Sequence, residues 1–138
     1  SKKMSKSELS DLSRINLTDD KDQIINKIKK AKTDPLPMPK TIKELDERLE
    51  AKNLIGIYSS LTNSTMQKSV ESFAGKNFSE FKEKLSLVLL DKIEPISLEI
   101  KKLLNDQSYL DKILLDGVEK ANFIASKKIK RIREIVGF

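Results

Sequence analysis

Apolar residues recur every three or four positions through most of the chain after residue 41. This spacing places them on one face of an α-helix, and no run in this region shows the strict alternation typical of a β-strand. The five apolar stripes contain Ile42, Leu45 and Leu49; Leu54, Ile57, Tyr58 and Leu61; Met66, Val70 and Phe73; Phe81, Leu85, Val88, Leu89, Ile93, Ile96 and Ile100; and Leu110, Ile113, Leu114, Val118, Ala121, Ile124, Ile129, Ile132 and Val136. The pattern predicts an all-α fold, a helical bundle.

Residues at the ends of these stripes predict where the helices begin and end. Thr41 followed by Glu44 has the spacing of a capping box, and Ser79 can cap the fourth helix. Gly75 suits the left-handed conformation that ends a helix. Pro95 falls inside the fourth stripe, and we expect it to kink or break that helix, because an interior proline costs ~3 kcal/mol.

The first 40 residues are organised differently. Residues 1–18 are polar and carry few apolar positions in phase, which predicts a loop. A helix then begins with Thr18 or Asp19 as its cap and ends at Asp34-Pro35, since proline disfavours helical backbone in the residue before it. The predicted organisation is therefore a connecting loop, residues 1–18, followed by a helical domain, residues 19–138.

Alternating prolines follow the first helix in the segment 35–39, PLPMP. Prolines at this density hold the chain extended and semi-rigid. Such a segment serves either as a stiff linker or as a ligand for a domain that binds PxxP motifs. The spacing here is PxPxP, which favours the linker.

Composition removes several classes of chemistry. The 138 residues include no His and no Cys, and 27 Lys and Arg against 21 Asp and Glu give a net charge of +6. Without histidine, Ser-His-Asp and Cys-His nucleophiles are impossible. The usual zinc and iron–sulfur ligands are also missing, so no metal site is predicted. No apolar run approaches the ~20 residues that span a bilayer, so no membrane partner is predicted either. The mild positive charge permits a polyanionic partner.

One segment near the N-terminus has specific chemistry, the sequence KMSKS formed by Lys3, Met4, Ser5, Lys6 and Ser7. Two lysines three residues apart, with hydroxyls beside them, can close over a polyphosphate and give each ammonium group an oxygen to contact. Composition alone favours a plainer interpretation, a flexible basic N-terminus.

The KMSKS sequence is the signature loop of class I aminoacyl-tRNA synthetases, and its surroundings resemble one family among them, the tryptophanyl-tRNA synthetases of bacterial type. The resemblance covers nearly the whole chain and is carried by five further blocks in the family's order. These are SRINLTDD at 13–20, KKAKTD at 29–34, NLIGIYS at 53–59, FAGKNF with a following FK at 73–82, and DGVEKA at 116–121.

The resemblance implies a function. Enzymes of this family activate L-tryptophan with ATP and Mg²⁺ and then transfer it to tryptophan tRNA. By resemblance, Lys3 and Lys6 are the catalytic residues, which contact the ATP phosphates and stabilise charge on the departing pyrophosphate. Met4, Ser5 and Ser7 complete the ATP-binding loop. The resemblance further implies a cytoplasmic homodimer.

In this family the loop follows a Rossmann-type catalytic domain that holds the tryptophan pocket and most of the dimer interface. We expect that domain to be absent from this chain, because no Gly occurs in the first 55 residues to form a phosphate-binding loop. The chain then resembles the C-terminal part of a synthetase, the KMSKS loop and the helical anticodon-binding domain. Alone, we expect it to be inactive in adenylate formation.

Candidate tRNA contacts come from the residues themselves. Lys127, Lys130 and Arg131 lie in a basic run of the last helix, where they form either an RNA-binding face or an ordinary solvated surface, the latter favoured. Phe78 follows a turn and is suited either to stacking on unpaired bases or to packing. Tyr58 lies within an apolar stripe, which favours a core role.

Two other functions stay open. The chain is alternatively a non-catalytic helical tRNA-binding module derived from such an enzyme. The second alternative is an unrelated helical interaction protein in which KMSKS occurs by chance. The ordered blocks argue against it.

Overall fold

The computed structural model describes residues 10–137. In this range the chain forms helices and connecting segments and no strand, which confirms the predicted all-α fold. A short 3₁₀ turn, Asp11–Ser13, precedes the α-helices. The α-helices of the described residues are α1 Lys21–Lys30, α2 Ile42–Asp46, α3 Leu49–Thr62, α4 Met66–Phe73, α5 Phe78–Asn105 and α6 Gln107–Val136.

The chain divides after Leu98 into two compact units. The hydrophobic core of the first unit draws on α1 to α5 and on the proline segment. Its buried apolar side chains are Ile24, Ile28, Met38, Leu45, Ala51, Leu54, Ile55, Val70, Phe73, Phe81, Leu85, Leu89 and Leu90. The apolar stripes that predicted the helices therefore supply most of this core.

Three aromatic rings connect α3, α4 and α5 inside this core. The ring centroids of Tyr58 and Phe73 lie 5.0 Å apart, and those of Phe73 and Phe81 lie 4.9 Å apart, both pairs edge to face. This arrangement brings the positive ring edge onto the negative ring face and adds to the burial energy. The core role favoured for Tyr58 agrees with its position.

The starts of α1 and α5 differ from the predicted ones, and the cap of α2 is as predicted except for its capping box. Asp20 caps α1 in a capping box with Gln23, so neither Thr18 nor Asp19 is the cap. Thr41 does cap α2 through the backbone N–H of Glu44, but the Glu44 carboxylate accepts from the backbone N–H of Lys40 instead of completing the box. Helix α5 already begins at Phe78, which places Ser79 inside its first turn.

Pro95 does not break α5, which runs through it from Phe78 to Asn105. A proline removes one N–H donor and crowds the preceding turn, yet 28 residues of helix and several buried side chains outweigh that local cost. The prediction that Pro95 breaks the helix is therefore wrong, and the kink stays a prediction.

The second unit, which begins at Glu99, is dominated by α6. The side chain of Asp106 caps this helix by accepting from the backbone N–H of Tyr109, and Gly137 ends it in the left-handed conformation with φ of 87°. Glycine is the residue that adopts this conformation at a helix end without strain. None of the α6 side chains is buried.

Across the described residues, none of the helices combines the length and apolar character that crossing a membrane requires.

Candidate functional site

The predicted ATP-binding residues, Lys3 to Ser7, lie outside the described residues. The structure does show how the chain that follows them is attached. Lys27, on the buried face of α1, donates to the Oδ2 atom of Asp11 at 2.6 Å and to the Oδ2 atom of Asp19 at 2.7 Å. Its side chain is 7% exposed and that of Asp19 is 5% exposed. We call Lys27, Asp11 and Asp19, with Asn16, the anchor cluster.

Asn16 closes the anchor cluster. Its backbone N–H donates to Asp19 Oδ2 at 2.8 Å, and its side-chain amide donates to both carboxylate oxygens of Asp11 at 3.0 and 3.1 Å. The hydroxyl of Ser97 on α5 donates to the backbone carbonyl of Asp19 at 3.3 Å. The segment from Asp11 to Asp19 is therefore tied to both α1 and α5.

The charges in the anchor cluster support one another. The hydrogen bond from Lys27, followed by that from Asn16, holds the pKa of Asp11 below its ordinary value. Burial acts to lower the pKa of Lys27, but the hydrogen bonds to Asp11 and Asp19 outweigh it and raise that pKa. The lysine therefore stays charged, and a buried charge with two carboxylate partners avoids the penalty of an unpaired one.

The sequence pattern alone does not reveal the anchor cluster. Lys27 is one of several lysines near the C-terminus of α1, where a helix end favours cations. The available signal was the acidic pair Asp19-Asp20 before the helix, but nothing in the spacing links Asp11 to a lysine 16 residues later.

The proline segment is fixed by Arg48, the residue before α3. Its guanidinium group donates to both carboxylate oxygens of Asp34 and to the backbone carbonyl of Pro37 at 2.6 Å. These hydrogen bonds from Arg48 hold the pKa of Asp34 below its ordinary value. A bidentate pair of this kind fixes geometry as well as charge.

Met38, at the centre of the proline segment, is buried and pairs with the turn between α4 and α5. Its N–H donates to the carbonyl of Lys76 at 2.8 Å, and its carbonyl accepts from the N–H of Gly75 at 3.0 Å. Pro39 is also buried. Pro35 and Leu36 form a bend, and the segment packs into the core through Met38 and Pro39 instead of acting as a stiff linker between two free bodies.

Phe78, a predicted tRNA contact, is half-buried and packs against the core of the first unit. The guanidinium carbon of Arg48 lies 5.5 Å from its ring centroid. One part of the ring therefore stabilises the fold, while the exposed remainder lies next to a cation.

The other predicted tRNA contacts, Lys127, Lys130 and Arg131, are exposed on α6. Residues three and four apart share one side of a helix, so the three cations form one face. The Lys127 ammonium lies 3.9 Å from the ring centroid of Phe123, a cation–π contact that covers an exposed aromatic ring.

Among residues 10–137, no group of three His, Cys, Asp or Glu side chains is placed to hold a metal ion.

The chain belongs to the class I tRNA synthetases (W and Y), whose family model matches residues 1–91. Within this class, the chain is similar to proteins named Tryptophan--tRNA ligase. The chain is 46% identical to that of Mesorhizobium japonicum and 47% identical to that of Agrobacterium fabrum, over 99% of this chain and 39% of each relative. The corresponding protein of Rickettsia felis is 45% identical over 99% of this chain and 41% of its own length. The chain therefore spans about two fifths of the length of the curated relatives it matches.

Proposed function

We propose that this chain is the C-terminal part of a tryptophan–tRNA ligase, which activates L-tryptophan with ATP and transfers it to tryptophan tRNA. The observation that carries the proposal is the match over 99% of the chain, at 46% and 47% identity, to proteins named for that reaction. In this proposal residues 1–18 connect to the catalytic domain, and residues 19–138 form the helical anticodon-binding domain. The parent enzyme acts as a homodimer in the cytoplasm.

Lys3 and Lys6 are the proposed catalytic residues of this part. Adenylate formation develops charge on the departing pyrophosphate, and two ammonium groups held at the phosphates stabilise that charge without proton transfer. Met4, Ser5 and Ser7 shape the loop. This chemistry suits a chain that contains no histidine. Mg²⁺ enters as part of the Mg-ATP substrate.

The anchor cluster supports this assignment physically. Charged groups that stabilise a transition state need a fixed support, because misplacement of such a group weakens its effect. The ion pairs from Lys27 to Asp11 and Asp19 begin four residues after Ser7 and supply such a support.

The test is Lys6→Ala in the complete enzyme, assayed by tryptophan-dependent ATP–pyrophosphate exchange. We expect a loss of about 10²–10³-fold, the usual cost of one electrostatic contact to the transition state. Lys2→Ala is the matched control, because it removes the same charge from the same segment outside KMSKS, and we expect it to leave the rate within about twofold. An unchanged rate in Lys6→Ala contradicts the proposed role.

A further inference from the structure

A pocket of about 390 Å³ lies between α1 and α5 inside the first unit. Its floor is apolar, formed by Ile25, Leu87 and Leu90. Leu87 is 59% exposed, so an occupant of the pocket can contact its side chain. The remaining lining residues are polar or charged: Lys21, Lys29, Ser79, Lys82, Glu83 and Ser86.

The three lysines of the pocket do not have the same role. The Lys82 ammonium donates to the backbone carbonyls of Lys29 at 3.1 Å and Ala31 at 2.6 Å, and burial lowers its pKa. Lys82 therefore satisfies the carbonyl end of α1 and joins it to α5. Lys21 and Lys29 are exposed and lie at the two ends of α1, about 12 Å apart along the helix axis.

Size and charge together indicate the class of occupant. Pockets for small ligands measure about 300–1,000 Å³, so this one admits a group as large as a nucleobase. An apolar floor suits the flat face of a base, and cations on either side of it suit phosphates. Lysine side chains are long and flexible, so two cations whose helix positions are about 12 Å apart can each reach one of two phosphates of a strand. Glu83 is the one acidic residue of the lining, against three lysines.

We propose that this pocket takes one unpaired nucleotide of the bound tRNA. The base lies against Ile25, Leu87 and Leu90, and Lys21 and Lys29 contact the phosphates on its two sides. The inference rests on the proposed function, because the RNA strand is that of the tRNA substrate.

The test is the affinity of the 138-residue chain for transcribed tryptophan tRNA, measured by fluorescence anisotropy from about 50 to 200 mM salt. The variant Lys21→Ala/Lys29→Ala removes the two exposed cations of the pocket. The control Lys43→Ala/Lys84→Ala removes the same charge from exposed positions outside the pocket. We expect about tenfold weaker binding for the pocket variant and a salt slope shallower by about 1.4, as for two single-strand phosphates. The control keeps the wild-type slope.

The floor is tested separately with Leu87→Ala, for which Leu49→Ala is the control, since Leu49 is 73% exposed on α3. We expect Leu87→Ala to weaken binding about three- to tenfold through lost apolar contact, with an unchanged salt slope. Leu49→Ala should have no effect.

The outcomes separate the two proposals. If wild type binds the tRNA and the pocket variants bind like their controls, the pocket inference is overturned while the proposed function stands. If the pocket variants instead change self-association and not RNA affinity, the pocket is a protein contact and the inference is again overturned. If wild type binds tryptophan tRNA no better than an unrelated RNA of equal length, both proposals are contradicted.

Discussion

At the scale of single residues, Lys27 shows how a tertiary contact changes what a side chain does. Its position near the end of α1 suggested a solvated cation that interacts with the helix dipole. In the structure it is buried and bound to two carboxylates, those of Asp11 and Asp19. Removing one partner of such a group leaves the others buried without compensation, which costs more than the pair itself contributes.

Lys27→Met should therefore destabilise the chain strongly. The substitution leaves the Asp19 carboxylate, which is 5% exposed, without its cation, and we expect a loss of about 3–5 kcal/mol in the free energy of unfolding. Urea denaturation followed by circular dichroism measures it. Lys30→Met on the exposed side of the same helix is the control and should change stability by less than about 0.5 kcal/mol. Equal stability of the two variants contradicts the role of the anchor cluster.

The ion pair of Arg48 with Asp34 predicts a pH dependence. Because the Asp34 pKa is lowered in the folded state, the pair stabilises the fold fully above the ordinary aspartate pKa of about 3.9. This contribution is lost progressively as the pH falls from there through the lower pKa of the folded state. Arg48→Met removes the cause of the shift. Its melting temperature should therefore fall less than that of wild type between about pH 5 and pH 3.

Thermal melts followed by circular dichroism at several pH values test this. Lys43→Met, which removes one exposed charge elsewhere, should keep the wild-type pH dependence. If Arg48→Met loses as much melting temperature on acidification as wild type does, the ion pair contributes nothing to acid stability.

At the scale of elements, the turn between α4 and α5 shows what a sequence pattern gives and what it leaves out. Gly75 was expected to end α4, and it does lie in the left-handed region, with φ of 71°. The sequence did not indicate that the turn would pair with Met38, because the two hydrogen bonds join segments almost forty residues apart. The proline segment and the turn therefore support each other.

Gly75→Ala should destabilise the fold by about 1–2 kcal/mol, because alanine resists the left-handed conformation. A Cβ atom there also approaches Lys40 Cε at 3.3 Å. Gly56→Ala, inside α3 with no neighbouring atom within 4 Å of its Cβ, should instead stabilise by about 0.5–1 kcal/mol. Chemical denaturation of both variants checks the opposite signs. Stabilisation by Gly75→Ala contradicts the assigned backbone geometry.

Apolar spacing locates helices more accurately than it locates their first and last residues. Apolar periodicity located α4, α5 and α6 correctly. It assigned Leu49 to the helix that begins after Thr41, but α2 ends at Asp46 and Leu49 is the first residue of α3. The N-terminal caps of α1 and α5 were misplaced by one or two residues, since several neighbouring polar residues can cap equally well. Pro95 was overestimated as a breaker because propensity is a local cost that packing overrides.

At the scale of the whole molecule, apolar periodicity predicted the all-α fold. The candidate functional sites are of two kinds, a contiguous sequence motif and groups of residues that only the fold brings together. KMSKS is a contiguous motif that the sequence alone reveals, and its geometry lies outside the described residues. The anchor cluster forms where α1 meets Asp11, and the pocket of the further inference forms where α1 meets α5. No linear pattern identifies such contacts.

The measurement that tests the central claim most directly compares the binding of this chain to tryptophan tRNA and to the same tRNA with a changed anticodon. Both are titrated at several salt concentrations. If the chain is the anticodon-binding part of a tryptophan–tRNA ligase, it prefers the correct anticodon and keeps this preference at ~150 mM salt, where nonspecific phosphate binding has weakened. Equal binding of the two tRNAs at every salt concentration contradicts the account.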